Sequence, residues 1–595
     1  MTFTTRPEIQ GTFGVVSSTH WLASQAGMRM LEQGGNAFDA AAAAGFVLQV
    51  VEPHLNGPGG DMTLQFFDAN KKKSRVLCGQ GYAPEAATIE HYKNVGLEII
   101  PQNGVLATVV PGSMGAWFAL CRDYGKLYLR DILEPAISYA QDGFPLLPRV
   151  AETINHMAPQ FKEYWPTSYE QWVPGEKPPP ANQLFKLPRL AQTYIELKRF
   201  AEEIGDRTKQ FERAHEAFYQ GFVAERIENF LALNAVMDLS GQENKGVLTA
   251  NDMANFKPVY ETPVSKKYHD WTVQKAGPWS QGPVLLQCLG LLEETDFSAF
   301  RHDSADFMHV IIEAMKLAFA DREIYYGDPN HVNVPIQTLL SAEYTANRRL
   351  LLKRFARSEL QPGEIAGFED QKKATEALIE QYGTTEQAIY EPTMEHLAEP
   401  RGDTVHVDVI DRWGNRVAAT PSGGWLQHSP TIPDLGFCLN TRAQMFSLTP
   451  GLANSLEPFK RPRTTLSPTL AYNHKDGRAL ALGTPGGDQQ DQWQLSVLLR
   501  IIHYNLNLQE AIDAPLFHSN HFPSSFYPRR RQNKHVVIDG CVTEREFMLL
   551  KAKGHIVERA GNRQLGRLTA TMRDKNGMLY AAATANEMQA YAVGR

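Results

Sequence analysis

Polar and apolar residues alternate along residues 404–409, with the two-residue period of a β-strand. One side of this strand carries Val405, Val407 and Val409, and the other side carries Thr404, His406 and Asp408. Residues 412–415 then supply a turn, and residues 416–420 return as a second strand, so the pattern predicts a β-hairpin. On this pattern alone, the polar side is that of an ordinary edge strand.

Earlier in the chain, residues 21–33 have helical periodicity, and Gly34 predicts the C-terminal cap of that helix. Asn36 is placed to cap a second helix, which is rich in alanine and which Pro53 ends. Residues 62–67 predict a strand.

Residues 145–260 have mainly helical patterns, and a further helix is predicted near residues 492–504. The segment 356–403 is charged and rich in Glu and Gln, which is typical of a long exposed connection. Helices on both outer faces of two strand layers would fit this order of elements.

The bulk composition is that of a soluble enzyme. The 595 residues carry a net charge of −7, so nothing indicates a surface for nucleic acid or for an anionic membrane. The five cysteines are scattered and lack CxxC spacing, which argues against a zinc ribbon or a disulfide framework. The N-terminus has no apolar stretch of the signal-peptide kind, so we expect a cytoplasmic protein without nucleic-acid or membrane partners.

The sequence lacks the motifs of several other enzyme classes, namely GxSxG, HExxH and GxxxxGK[ST]. His518 and His521 come nearest to a metal pair, but they lie in a proline-flanked loop without supporting carboxylates. Such histidines are usually polar loop residues. We therefore expect neither a metal nor a cofactor.

A threonine at the start of a strand suits one kind of catalysis. If the chain is cut between Asp403 and Thr404, the new α-amine lies beside the threonine hydroxyl. With a pKa of roughly 7.7–8, this amine accepts a proton near neutral pH, and threonine with its own amine is a known nucleophile–base pair. The β-branch also restricts rotation of the side chain and holds the hydroxyl in place.

The pattern TxHxxVxDxxGN at residues 404–415 resembles the nucleophile strand of the γ-glutamyltransferase family, whose members are self-cleaving N-terminal-nucleophile hydrolases. Other motifs similar to those of the family follow in the family's order, at GGNAFDAA (34–41), VEPH (51–54), GPGG (57–60), VPG (110–112), EPA (134–136), AxDGF (140–144), RP (461–462), LSPT (466–469), GTPGG (483–487) and AIDAP (511–515). The resemblance implies an α/β fold of the four-layer αββα type. It also implies that residues 1–403 form a large subunit and residues 404–595 a small one, both within one αββα unit.

The same resemblance implies catalytic roles for four residues. Thr404 matches the nucleophile, and Ser422 matches a second hydroxyl residue that hydrogen-bonds the nucleophile, with serine where threonine is usual. Gly486 and Gly487 match the glycine pair whose backbone N–H groups form the oxyanion hole. His406 is retained, and we predict a structural role for it.

Several substrate-binding positions of the family are changed in this sequence. Gln80 stands where an arginine grips the glutamyl α-carboxylate, and Met445 stands where an aspartate binds the α-amino group. Gly424 replaces an asparagine, and Thr464 and Thr465 replace a pair of serines. A zwitterionic γ-glutamyl group would therefore lose one cationic and one anionic partner, which costs several kcal/mol in a buried site.

Arg442, with help from Arg463, is placed to bind a planar carboxylate through two parallel hydrogen bonds. A structural salt bridge is an equally open role for Arg442.

The sequence thus predicts an amide hydrolase that forms an acyl-enzyme on Thr404. Its predicted substrate is a small carboxylate-bearing amide, oxamate-like or derived from an oxo-acid, rather than a γ-glutamyl compound. Three alternatives stay open: a genuine γ-glutamyltransferase or glutathione hydrolase with a rebuilt pocket, a C–C bond hydrolase of an antibiotic-type pathway, and a non-catalytic binding protein that has kept the fold. The expected partners are the small-molecule substrate and the two subunits of one precursor, and a homodimer of the processed heterodimer is left open.

Overall fold

The computed structural model describes residues 4–385, 404–586 and 590–595. Among these described residues, two seven-stranded antiparallel sheets pack face to face. The strands of sheet A are, in spatial order, β1 (Ile9–Gly11), β22 (Leu579–Ala583), β21 (Thr569–Arg573), β17 (Ala479–Gly483), β16 (Thr469–Asn473), β11 (Trp271–Lys275) and β10 (Val264–Tyr268). The strands of sheet B are β23 (Tyr591–Gly594), β2 (Gly14–Ser18), β12 (Val407–Asp411), β13 (Arg416–Ser422), β3 (Asp61–Asp68), β4 (Lys73–Gly79) and β9 (Val259–Glu261).

Helices cover the outer face of each sheet. Sheet B is covered by α1 (Trp21–Glu32) and α2 (Ala37–Val51). Sheet A is covered by α12 (Pro283–Leu292) and α17 (Gln489–Tyr504), and α13 (Ala305–Tyr325) packs against α12. The layers are therefore helix, sheet, sheet, helix, and the predicted αββα fold class is confirmed.

The remaining helices lie at the periphery. They are α3 (Ile89–Asn94), α4 (Ser113–Tyr124), α5 (Leu129–Asp142), α6 (Pro148–Tyr164), α7 (Pro166–Trp172), α8 (Pro188–Glu202), α9 (Arg207–Tyr219), α10 (Phe222–Leu233), α11 (Ala250–Ala254), α14 (Ile336–Leu339), α15 (Ala342–Arg349), α16 (Glu369–Tyr382), α18 (Leu508–Asp513) and α19 (Glu544–Ala552). The short strands outside the two main sheets are β5 (Phe144–Pro145), β6 (Leu184–Phe185), β7 (Val236–Met237), β8 (Glu243–Asn244), β14 (Thr431–Ile432), β15 (Phe437–Cys438), β18 (Phe517–Ser519), β19 (His535–Ile538) and β20 (Ile556–Arg559). None of the helices in the described residues is long and apolar enough to cross a membrane.

Local sequence signals explain the layer over sheet B. The Asn36 side chain accepts hydrogen bonds from the backbone of Phe38 and Asp39, which caps α2 as predicted. Every residue of α2 is buried, because its small side chains let neighbouring elements approach closely. A methyl group added at Gly45 would lie 2.4 Å from the Trp117 ring, so only glycine fits there.

The structure differs from the sequence patterns in two places. Strand β12 lies between β2 and β13 in the middle of sheet B rather than at an edge, and its polar side faces sheet A. Helix α16 lies within the segment 356–403, for which the pattern predicted only a connection. Residues 386–403, including the predicted cleavage residue Asp403, lie outside the described residues.

Candidate active site

Thr404 and Ser422 face each other at one end of sheet B. The two residues form an antiparallel bridge, and their hydroxyl oxygens are 3.1 Å apart and buried. The Val405 N–H donates to the Pro421 carbonyl at 3.1 Å, which fixes the start of the chain segment against β13. In the next strand, Asp61 pairs with Ser422, so three polar side chains form a row across neighbouring strands.

The tight turn between β12 and β13 sets this register. Asp411 accepts hydrogen bonds from the backbone N–H groups of Trp413 and Asn415, both at 3.0 Å. Gly414 has φ +89°, a left-handed conformation that glycine adopts without strain. Because the turn fixes the pairing of the two strands, Thr404 is placed opposite Ser422 rather than opposite a neighbour.

The carbonyl of Thr404 is held by a buried charged group that the sequence patterns did not identify. Arg567 donates to this carbonyl at 3.4 Å and pairs with Glu52 at 3.4 Å. Glu52 also accepts a hydrogen bond from the Thr19 hydroxyl at 2.7 Å. Glu52 lies in the VEPH motif at residues 51–54. This motif was the only feature of the sequence that could have pointed to Glu52, and the sequence analysis assigned it no role.

Neither of the two nearby histidines is suited to act as a general base. Burial, with the charge of Arg567 beside it, holds the pKa of His54 well below its usual range. Both ring nitrogens of His406 are engaged, Nδ1 with the Thr420 hydroxyl at 2.8 Å and Nε2 with Asp408 at 3.0 Å. Asp408 in turn accepts from Thr569 of sheet A, so His406 belongs to a hydrogen-bonded link between the sheets.

The His406 ring also packs directly on Gly483 at the end of β17. A methyl group added at Gly483 would lie 2.0–2.5 Å from three atoms of the ring. We therefore expect Gly483→Ala to lower the free energy of unfolding by about 3 kcal/mol, measured by urea denaturation. Gly205→Ala is the matched control, because nothing lies within 4 Å of a methyl group there. Equal stability losses in the two variants would contradict this packing.

The glycine pair predicted for the oxyanion hole follows β17 and precedes α17. Gly486 has φ +110°, and Gln490 donates to its carbonyl. The Gly487 carbonyl accepts from the Gln281 side chain at 3.1 Å and from the Gln490 backbone at 3.1 Å. These contacts fix the peptide group between the two glycines, which carries the Gly487 N–H, and the peptide group that follows it.

Arg442 lies beside the row of polar residues and is almost fully buried, with 1% of its surface exposed. It opens the 3₁₀ turn Arg442–Met445, and its Nε donates to both carboxylate oxygens of Asp61 at 2.9 Å. The guanidinium carbon lies 4.9 Å from the centre of the Trp425 ring. The terminal nitrogens Nη1 and Nη2 are buried without a hydrogen-bond partner among the described residues. One half of the guanidinium thus forms a structural ion pair, and the other half has no hydrogen-bond partner among the described residues.

Arg463, which the sequence suggested as a helper, is turned away from this group. Its guanidinium donates to Glu323 at 2.9 and 3.1 Å and to the Arg322 carbonyl at 2.9 Å. Missing from the sequence predictions was Asp61, the actual partner of Arg442. Asp61 directly follows the GPGG motif at residues 57–60, which was again the only signal.

Two further substrate positions predicted from the sequence lie around Arg442. Met445 packs in an apolar cluster with Trp425 and Phe526. Gly424 has φ +72°, and a methyl group there would lie 3.0 Å from the Cys438 carbonyl, so its space is filled by backbone.

Gln80 directly follows strand β4. The last residue of that strand, Gly79, pairs with Met62, the neighbour of Asp61. Gln80 therefore lies at the same end of sheet B as Asp61. Thr464 and Thr465 lie nearer the glycine pair, since Gln281 contacts both the Thr464 carbonyl and the Gly487 carbonyl.

The described residues contain one group with the spacing of a metal site, far along the chain from Thr404. It consists of His309, Glu313 and His555, whose ligand atoms lie within 4.8 Å of one another. Lys316 already pairs with Glu313 at 2.6 Å, so its ammonium occupies the carboxylate that a metal would need. His518 and His521, considered above as a metal pair, are not members of this group.

Comparison with known proteins gives a consistent result over the whole chain. A sequence model described as gamma-glutamyltranspeptidase matches residues 23–593. The glutathione hydrolase-like YwrD proenzyme of Bacillus subtilis is 32% identical over 96% of this chain and 97% of its own length. The solved structure of LmbA2991HD is 46% identical with a TM-score of 0.92 and full coverage of both chains. The crystal structure of cephalosporin acylase from Bacillus halodurans is 27% identical with a TM-score of 0.81, covering 100% of this chain and 98% of that one.

Proposed function

The chain belongs to the gamma-glutamyltranspeptidase family of N-terminal-nucleophile enzymes, and we propose that it is a self-cleaving amide hydrolase with Thr404 as its nucleophile. The observation that carries this proposal is the buried hydroxyl pair of Thr404 and Ser422, 3.1 Å apart at the start of the central strand. Names of the relatives support the class, since one is a proenzyme described as glutathione hydrolase-like and another an acylase.

Cleavage between Asp403 and Thr404 would give the threonine a free α-amine. In the proposed reaction, the amine takes the hydroxyl proton while Oγ1 attacks the substrate carbonyl carbon. The N–H groups of Gly486 and Gly487 stabilise the oxyanion that forms. The proton then passes to the leaving amine, and the acyl group stays on Thr404 as an ester. Water, deprotonated by the same α-amine, hydrolyses this ester and restores the hydroxyl.

The contacts described above would support these steps. The Ser422 hydroxyl orients the Thr404 hydroxyl through their hydrogen bond. Arg567 holds the Thr404 carbonyl and so fixes the backbone that carries both the amine and the hydroxyl.

Residues 1–403 and 404–595 would form the large and small subunits of the processed enzyme. Strands β12 and β13 of the small piece lie between β2 and β3 of the large one, in one continuous sheet. Backbone hydrogen bonds on both sides would therefore keep the pieces together after cleavage.

The pocket supports a substrate with a carboxylate but no ammonium group. Neighbouring strands are about 4.8 Å apart, so Asp61, two strands from Thr404, lies within about 10 Å of it. Arg442 reaches this point with two free terminal nitrogens, which match a planar carboxylate. Met445 packs with the apolar side chains of Trp425 and Phe526, and Asp61 is already paired with Arg442, so an ammonium would be left unpaired. A small carboxylate-bearing amide, oxamate-like or derived from an oxo-acid, fits these groups best.

Substrate preference can be tested with two anilides that differ in one group. The γ-glutamyl and glutaryl p-nitroanilides have the same length, and only the first carries an α-ammonium. We expect kcat/KM for the γ-glutamyl compound to be roughly 10³-fold below that of a competent transpeptidase, because one buried charge pair is missing. The glutaryl compound is expected to be the better substrate of the two. Release of nitroaniline measures both rates.

The name of the Bacillus subtilis relative favours one alternative, a glutathione hydrolase with a rebuilt pocket. Turnover of glutathione near 10 s⁻¹, an ordinary enzyme rate, would establish that alternative and reject the carboxylate-amide substrate. The Thr404 mechanism would be common to both.

A further inference from the structure

A cleft opens between the two sheets at the end opposite to Thr404. Arg416 and Phe67 pair at this end of β13 and β3, whereas Ser422 and Asp61 pair at the other. Six residue steps at about 3.3 Å place this distal cleft about 20 Å from Ser422. Its volume is about 630 Å³, within the range of small-molecule sites.

The distal cleft is lined by basic and aromatic side chains. Its basic side chains are Lys72, Arg416, His474, Arg573 and Lys575, and its aromatic ones are Phe67, Trp413 and Tyr472. No aspartate or glutamate is among its lining residues in the described part of the chain. Asp411 is a carboxylate whose charge acts on Arg416, and its oxygens already accept hydrogen bonds from the backbone N–H groups of Ala37, Trp413 and Asn415.

Arg416 is the unusual member of this set, because it is buried without a counter-ion. Its exposed fraction is 7%, and its Nε has no hydrogen-bond partner in the part of the chain that the structure describes. Its guanidinium contacts the Gly414 carbonyl at 3.4 Å and lies 4.1 Å from the centre of the Phe67 ring. Among the described residues, no carboxylate lies within 4.0 Å of it. A buried charge without a partner is costly, so an anion would be favoured here.

A second arginine, Arg573, lines the cleft beside the turn that Arg416 contacts. Its Nε lies 3.7 Å from the position that a methyl group on Gly414 would take, and this Nε has no hydrogen-bond partner among the described residues. Burial and the like charge of Arg573 lower the pKa of Arg416 to about 10, which still leaves it charged at neutral pH. Two arginines that line one cleft, with no carboxylate among the described lining residues, suit a doubly charged phosphate.

We propose that the distal cleft binds a small organic phosphate, with its phosphate between Arg416 and Arg573 and a flat ring against Tyr472. The Tyr472 ring is 42% exposed and lies at the cleft mouth, next to His474. This site is separate from the Thr404 chemistry and does not depend on the proposed function.

Adenosine monophosphate and inorganic phosphate are the probes, with binding measured by calorimetry and by the shift in melting temperature. We expect saturable binding of adenosine monophosphate, weaker binding of inorganic phosphate, and a higher melting temperature with either in excess. Arg416→Met and Arg573→Gln should each weaken binding at least about tenfold, because each removes charge-assisted hydrogen bonds to the anion.

Stability without a ligand separates a binding role from a structural one. Arg416→Met removes an unpaired buried charge, so its melting temperature without phosphate should equal or exceed that of the unmodified protein. The proposal is overturned if neither probe binds, if phosphate binds as tightly as the nucleotide, or if both variants bind unchanged. It is also overturned if Arg416→Met melts markedly lower without any anion, since Arg416 would then serve the fold.

Discussion

Thr404→Ala is expected to remain a single chain of 595 residues, whereas the unmodified protein should separate on a denaturing gel into pieces of 403 and 192 residues. The alanine variant keeps the backbone but has no hydroxyl to attack the preceding carbonyl or the substrate. Loss of a nucleophile of this kind lowers kcat by roughly 10⁶-fold, so amide hydrolysis should fall to background.

Thr404→Ser is the matched control for this variant. Serine keeps the hydroxyl and, after cleavage, the α-amine, but it loses the β-branch that restricts rotation. We expect it to mature and to hydrolyse amides more slowly than the unmodified protein. N-terminal sequencing of the small piece should give threonine in the unmodified protein and serine in the variant. An intact, uncut chain that hydrolyses amides at full rate would be incompatible with an N-terminal nucleophile.

The parts of the fold that the sequence predicted well are those set by neighbouring residues. The β12–β13 hairpin follows from alternation and a four-residue turn, and the α2 cap follows from Asn36 alone. The central position of β12 did not follow, because an alternating pattern has the same form in an edge strand and in a strand paired on both sides. Its polar side is buried against sheet A, where Thr569 meets Asp408.

Partnerships across the sequence account for what the patterns missed at the candidate site. Asp61 and Arg442 are 381 positions apart, and Glu52 and Arg567 are 515 positions apart. Neither acid has a local pattern that marks it as the partner of a distant arginine. Arg463 shows the converse, since its place in the chain suggested a role at the pocket but Glu323 holds its guanidinium.

The ion pair with Asp61 changes how Arg442 should be tested. Arg442→Ala would leave a buried carboxylate unpaired, and breaking such a pair costs about 3–5 kcal/mol whether or not the arginine binds substrate. Burial already raises the pKa of Asp61, and the Arg442 charge opposes that rise, so the pKa of Asp61 would rise further in the alanine variant. Loss of activity there would not separate binding from folding.

Arg442→Lys makes the separation, because an ammonium can still neutralise Asp61 but cannot reproduce the two terminal nitrogens of the guanidinium. We expect this variant to mature normally and to melt close to the unmodified protein. Its kcat/KM on a carboxylate-bearing amide should fall at least about 100-fold, since two charge-assisted hydrogen bonds are lost. Enzyme kinetics on the glutaryl anilide, together with gel analysis of maturation, measures both outcomes.

Arg463→Lys provides the matched control, because it makes the same change in another buried ion pair whose guanidinium faces Glu323. It should leave the substrate preference unaltered. If Arg442→Lys keeps full kcat/KM, or if it fails to mature, the guanidinium serves only Asp61 and the carboxylate-bearing substrate loses its principal support. The expected split, normal maturation with a large loss of kcat/KM at position 442 alone, requires that Nη1 and Nη2 bind substrate.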